Sequence, residues 1–227
     1  MSEIVSGQIV GVDPSGITVH IPYSNWERFA VRQVSEVRVE LPDARARSAE
    51  QLRKAWAIMG DMAAFISGDK RNAADDVYRP LSADFAQRAQ ETLQRRLFHL
   101  SEASVTEARD FISFLLDICI EYEIPLSRPA AELTDDIQHY VYSCTVNRKC
   151  AVCGQRADLH HVDHVGMGRN RHEIDHEGMR ALPLCRVHHD EAHRVSTEIF
   201  CERYHLEPIT IDKHIIEKLK LNEMRKR

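Results

Sequence analysis

Between Cys150 and His193 the chain gathers side chains that bind metals: Cys150-Ala-Val-Cys153, then His160-His161-Val162-Asp163-His164, then Cys185-Arg186-Val187-His188-His189-Asp190-Glu191-Ala192-His193. A tetrahedral ion takes four ligands, so the stretch holds more donors than one site can use. Their spacing divides them. Cys-x2-Cys and Cys-x2-His each let two ligands grip one zinc, which groups Cys150, Cys153, Cys185 and His188 as a closed Cys3His site. If a helix begins near Cys185, His189 and His193 stand four residues apart on one face, while His188 points roughly 100° away. One helix can therefore serve two metals, and the remaining histidines are free for chemistry.

The segment 148–196 resembles an HNH (ββα-metal) endonuclease, with a His-His pair on the first strand of a hairpin and a Leu-Cys-x2-His-His start to the following helix. The resemblance implies that a strand histidine activates water, that its neighbour and the helix histidines hold a divalent cation, and that a zinc pins hairpin to helix. By position His161 matches the general base, His160 the adjacent metal ligand, and His189 and His193 the helix ligands. Asp163-His164-Val165 also fits the family's Asp-His-aliphatic pattern, so His164 is a second candidate base, with Asp163 a further candidate ligand. The motif's central Asn has no counterpart. The matching place falls near Arg180, and His176 or Asp175 is the candidate substitute.

Phosphodiester hydrolysis needs a nucleophilic water and a cation that neutralises charge on the leaving oxygen. An imidazole with a reference pKa near ~6.5 is largely neutral at cellular pH and able to take a proton. The expected cofactors are a structural zinc and a catalytic Mg²⁺ or Mn²⁺. Two other zinc chemistries fail on spacing. A deaminase needs a downstream Pro-Cys-x2-Cys after its His-x-Glu, which His189-Asp190-Glu191 lacks. A zincin protease needs Glu directly after the first helix histidine, where this chain has Asp190. Arg169 and Arg171, in the glycine-bearing stretch 166–171, and Arg186 on the helix are candidate phosphate contacts. His172, His205 and His214 read as ordinary surface or packed residues, and Cys119, Cys144 and Cys201 as plain thiols.

The elements that must position these groups follow from periodicity and turn chemistry. Residues 4–12, 17–21 and 35–41 alternate as strands, broken by the turn sequence Asp13-Pro14-Ser15-Gly16. Ser48 can cap a long amphipathic helix to about Ile66, with Leu52, Ala55, Trp56, Met59, Met62, Ala63 and Ile66 on one broad face and Gly68 just past its end. Further helices are expected over 83–98, 106–122, 133–146, 197–205 and 211–221, with Pro80, Pro125 and Pro129 between them. Trp56 reads as core rather than as a platform for a base.

Arg47-Ser48-Ala49-Glu50-Gln51-Leu52-Arg53-Lys54-Ala55-Trp56 resembles the signature of the phage lambda Orf (NinB) type of recombination protein, with Leu52 where that family has Asn. The resemblance implies a module that engages single-stranded DNA or single-strand-binding protein during phage recombination, and that commonly dimerises.

With 227 residues and 43% hydrophobic content the chain suffices for one or two globular domains. Its charge divides unevenly: residues 1–139 hold 15 Lys/Arg against 22 Asp/Glu, and 140–227 hold 15 against 13. An acidic front half speaks against a broad electrostatic DNA platform there. No signal peptide opens the chain, and the apolar run 111–120 is too short to span a bilayer and contains Asp117. A cytoplasmic protein of a bacterial host, phage or prophage encoded, is expected, and in a reducing cytosol four cysteines and histidines at ligand spacing mean metal rather than disulfides.

The expected architecture is α+β: a recombination-protein-like domain over 1–139 with a small antiparallel sheet and helices, and a zinc-pinned ββα-metal nuclease domain over 140–227. The expected activity is metal-dependent cleavage of DNA, single-stranded or branched among the possibilities. The alternative is a zinc-stabilised adaptor that binds single-stranded DNA or single-strand-binding protein without cutting.

Overall fold

A computed structural model of the chain describes residues 7–22, 24, 27, 31, 45–93, 98–162 and 176–221. The strand expected over 35–41, the loop 166–171 and the tail 225–227 lie outside them, as do Asp163, His164, Arg169, Arg171, His172 and Asp175.

Strands β1 (Gln8–Asp13) and β2 (Gly16–His20) pair antiparallel as a hairpin. Its turn is closed by the Asp13 side chain, which accepts from the backbone N–H of Ser15 at 2.7 Å.

Helix α1 (Ala49–Ser67) starts with a capping box: Ser48 Oγ accepts from Gln51 N, and the Gln51 side chain accepts from Ser48 N. It ends at Gly68, whose φ of 79° is the left-handed cap that glycine takes without a Cβ clash. Other residues of the Arg47–Trp56 stretch are also engaged in holding this helix start in place. Arg47 Nε donates to Leu100 O at 2.6 Å, and Gln51 Nε2 donates to Val105 O at 3.0 Å.

Of the expected core face, Ala55, Met59, Met62 and Ala63 are buried. Ile66 is exposed and Ile58 takes a core place instead, because α1 packs on both α3 and the turns after residue 68. Trp56 is 37% exposed, at the rim of the core, with its ring tilted on Tyr78 at 5.5 Å.

A 3-10 turn (Lys70–Asn72) and a π turn (Ala73–Tyr78) run directly into α2 (Arg79–Leu93). The helix begins earlier than expected, and Pro80 sits inside its first turn instead of separating elements. The wide π turn before it gives room for the proline ring beside the preceding carbonyls. Helix α3 (Val105–Glu121) carries a second capping box, Ser104 with Glu107. Its Phe111 anchors an aromatic cluster with Phe85, Phe98 and Phe114 at centroid distances of 5.2, 4.7 and 6.2 Å.

A single turn, α4 (Ala130–Leu133), precedes α5 (Ile137–Val146). The expected single helix from 133 is broken because Thr134 Oγ1 accepts from Asp136 N, and Asp136 then caps α5 by accepting from His139 N.

Strands β3 (Asp158–His161), β4 (Arg180–Leu184) and β5 (Ile209–Thr210) form one antiparallel sheet in the order β3-β4-β5. Pro183 is tolerated in its middle strand because β5 pairs only with Arg180 and Ala181. Helices α6 (Arg186–Val195), α7 (Thr197–Tyr204) and α8 (Lys213–Leu219) follow. The mixture of helices and small antiparallel sheets agrees with the α+β expectation.

Two apolar clusters form among the described residues. One runs from Ala55 to Leu133 and the other from Tyr140 to Leu219. They are tied by Lys54 to Asp135 at 2.6 Å and by His139 to Asp117 at 2.8 Å. No helix among the described residues is long and apolar enough to cross a membrane.

Candidate active site and metal centres

The β3-β4 hairpin and α6 place the ligand-bearing residues. The chain leaves α5, makes the Cys150–Cys153 knuckle, and hydrogen-bonds Ala151 N to Pro183 O at 3.0 Å, so the knuckle is hooked onto β4 just before Cys185. Tyr140 of α5 supports it by donating its hydroxyl to Ala151 O at 2.8 Å. Cys185 is the N-cap of α6, which sets His188 one turn along the helix and back toward the knuckle.

Cys150, Cys153, Cys185 and His188 consequently offer four ligand atoms, all within 4.8 Å of one another. Cys153 Sγ lies 3.7 Å from Cys185 Sγ, and His188 Nδ1 lies 3.2 and 3.5 Å from the sulfurs of Cys185 and Cys150. A tetrahedron with Zn–S near ~2.3 Å and Zn–N near ~2.0–2.1 Å has edges of roughly 3.6–3.8 Å, so the donor set fits that ion. Burial pushes the Cys153 thiol up to about 12, with the neighbouring sulfurs adding to it. At Cys185 burial also raises the thiol, but the backbone N–H groups of His188 and Val187 and the adjacent thiols outweigh it and hold it below the ordinary value. A helix N-terminus favours a thiolate in this way.

The second group takes two of its three members from the same helix and the third from β3. One ring nitrogen from each of His160, His189 and His193 falls within the same 4.8 Å limit. The three imidazoles form a nearly equilateral triangle, with centroids 4.7 to 4.8 Å apart. His160 Nδ1 and His189 Nδ1 are both buried without a hydrogen-bond partner. A buried polar atom left alone is costly, and unpartnered imidazole nitrogens in a ring cluster are the donor chemistry a cation takes. Burial pulls His160 down to about 4, with the rings of His189, His193 and His161 contributing; burial, His193 and Arg186 lower His189 as well. His160 and His189 are therefore neutral lone-pair donors at pH 7. Three protein ligands, with His193 exposed, match a site that keeps a position open.

His161 follows His160 on β3 and so points to the opposite face. There its Nε2 lies 3.0 Å from His176 Nδ1. His176 is held by the turn before β4, where Met179 N donates to His176 O at 3.2 Å and Gly178 N to Ile211 O at 2.9 Å. Gly178, at φ 81°, needs the left-handed backbone to make that turn. Of the candidate residues that are described, the structure thus brings together the Cys3His group, the three-histidine group and the His161–His176 pair. Arg186 projects from the exposed start of α6 with its guanidinium 3.5 Å from Asp190.

A family model described as "Putative HNHc nuclease" matches residues 19–222. The chain belongs to this HNH nuclease family. The match runs from β2 to the end of α8, so the HNH family extends over far more of the chain than the 148–196 segment in which its motif is concentrated. No curated protein and no solved structure matches the chain.

Two features of the site had no motif to reveal them. Thr197 Oγ1 hydrogen-bonds His160 Nε2 at 3.1 Å. Glu191 braces α6 on α7 by accepting from Arg203 at 2.5 Å and from the Tyr204 hydroxyl at 3.1 Å. Only the helical heptad of α7 would have hinted at the second, since Tyr204 and Phe200 share its inner face.

Proposed function

We propose that this HNH nuclease hydrolyses DNA phosphodiester bonds with a water activated by His161 and one divalent cation, Mg²⁺ or Mn²⁺, held by His160, His189 and His193. A second ion, zinc, held by Cys150, Cys153, Cys185 and His188, fastens the hairpin to α6. The observation that carries the reading is the separation of two donor groups on one helix: His188 turns to the cysteines while His189 and His193 join His160. A merely structural knuckle has no use for the second group.

When bound, the catalytic cation supplies electrophilic stabilisation of the departing oxygen. His161 takes the proton from the attacking water, and His176, in contact with its ring, holds it in orientation. Arg186 offers a guanidinium to the phosphate backbone. Arg169 and Arg171 are proposed for the same task, with Asp163 as a further ligand and His164 as the alternative base. We take the chain as a recombination-type unit over 1–139 followed by the nuclease unit over 140–227. The Arg47–Trp56 resemblance supports phage recombination or replication intermediates as substrates.

The deciding experiment is cleavage of labelled branched, single-stranded and duplex DNA with Mg²⁺, Mn²⁺ or EDTA, beside a His161→Ala control and a zinc assay. Metal-dependent cutting lost in the variant supports the nuclease. DNA retention with bound zinc and no cutting under any metal replaces it with the non-catalytic adaptor.

A further inference from the structure

His160 is 2% exposed, and its two ring nitrogens meet different surroundings. Nε2 faces the hydroxyl of Thr197 at 3.1 Å. Nδ1 is buried with no hydrogen-bond partner, in a ring that packs edge-on against those of His189 and His193 at centroid distances of 4.8 and 4.7 Å. A neutral imidazole carries a single proton, so one nitrogen donates and the other offers a lone pair. A proton on Nδ1 would be a buried donor with no acceptor. A proton on Nε2 has the Thr197 oxygen to receive it, and Nδ1 is then left as a ligand.

The route by which Thr197 reaches this place is unusual. Helix α6 ends at Val195, and Ser196 turns the chain at φ 79° and ψ 151°. That region belongs to glycine, and other residues occupy it only where their surroundings compel them. Here the compulsion is visible. Ser196 O accepts from Phe200 N at 3.0 Å, and the Phe200 side chain is fully buried. Glu191 of α6 clamps Arg203 and Tyr204 of α7 across the corner. With both helices held in this way, the first residue of α7 faces back toward β3.

We propose that Thr197 is a positioning residue of the histidine-lined site: its hydroxyl accepts the Nε2 proton of His160 and so fixes both the ring's orientation and the tautomer that presents Nδ1 to a divalent cation. The strained corner at Ser196 delivers that hydroxyl. The inference rests on the proposed reading of His160, His189 and His193 as a cation site. Outer contacts of this kind commonly change metal affinity by about 10–100-fold.

The test uses the full-length zinc-loaded protein. Titration with Mn²⁺ followed by electron paramagnetic resonance reads affinity without displacing zinc from thiolates, and long-range ¹H–¹⁵N NMR before Mn²⁺ addition reads the tautomer of His160. We expect the wild type to bind Mn²⁺ with His160 protonated at Nε2 and His193→Ala to lose binding. Thr197→Val should weaken binding by about tenfold or more, within that outer-contact range, and Thr197→Ser should restore it, with zinc content unchanged throughout. If Thr197→Val binds Mn²⁺ as tightly as the wild type while His193→Ala does not, the role of Thr197 is overturned and the cation site stands. An Nδ1-protonated ring in the wild type overturns it equally. Failure of the wild type to bind Mn²⁺ overturns the cation site and the proposal with it.

Discussion

His161 and His176 meet edge to edge on one face of the β3-β4 hairpin, Nε2 to Nδ1 at 3.0 Å, while His160, the residue before His161, faces the other way into the three-ring cluster. The pleat of a strand thus sorts two consecutive histidines onto different faces with different partners. His161→Ala should lower cleavage by about 10²–10⁴-fold, the range of a lost general base, while zinc content and melting temperature stay unchanged. His176→Ala should cost less, because it removes a neighbour of His161 and leaves the proposed base in place. Single-turnover cleavage assays check both, and undiminished cleavage by His161→Ala would move the base to His164.

Cys150 is fully buried and Cys185 nearly so, in the middle of the second apolar cluster. Replacing either by Ala should abolish stoichiometric zinc and destabilise the 140–219 region, on the order of the ~10 kcal/mol that structural zinc contributes in small domains. Metal analysis and thermal melts of the purified variants measure this, and a Cys185→Ala protein with normal zinc and melting would refute the assignment.

Asp61 is 5% exposed and carries three contacts: Lys70 Nζ at 2.5 Å, Ser127 N at 2.7 Å and Ser127 Oγ at 2.8 Å. Burial alone would raise its carboxyl, but these donors together hold it below the ordinary 3.8. The charged form stabilises the fold above that ordinary value, and its contribution is lost as pH falls through the depressed one. Asp61→Ala should destabilise by about 1–3 kcal/mol by stranding the Ser127 donors. Urea unfolding followed by tryptophan fluorescence tests this, since Trp56 lies on the same helix.

The ion pair between Asp117 of α3 and His139 of α5 joins the two apolar clusters. The hydrogen bond that His139 Nε2 donates to the Asp117 carboxylate holds His139 above the ordinary 6.5, against the opposing effect of burial. The folded chain therefore keeps this proton more tightly than the unfolded one. The stabilisation is complete below pH 6.5 and is lost as pH rises through the raised folded-state value. The side chains are 45% and 39% exposed, so solvent screening confines it to about 0.2–1 kcal/mol. Asp117→Asn should flatten the dependence of melting temperature on pH above neutrality; equal slopes in wild type and variant would contradict it.

The grouping of the donors was legible in the sequence because knuckle and helix spacings are local: Cys150 to Cys153, Cys185 to His188 and His189 to His193 are each read within one turn. Local capping chemistry was equally plain at Ser48 and Gly68. What the sequence could not show depends on distant partners. The two-residue strand β5 exists through its pairing with Arg180 and Ala181, and Ile58 replaced Ile66 in the core because of what packs beside α1. The contact of Thr197 with His160 spans 37 residues and depends on a positive φ at a serine, for which no residue type gives warning.

His188 and His189 are consecutive, yet they face different donor groups. On the proposed assignment this makes chelation a process with two clocks. A brief exposure strips the ion with an open coordination position and leaves the scaffold standing, so activity returns when Mn²⁺ is added. A long exposure empties the closed knuckle, frees the start of α6 from the hairpin, and carries His189 and His193 away from His160. Recovery then requires zinc first, and the order in which the two metals are returned decides whether the protein revives.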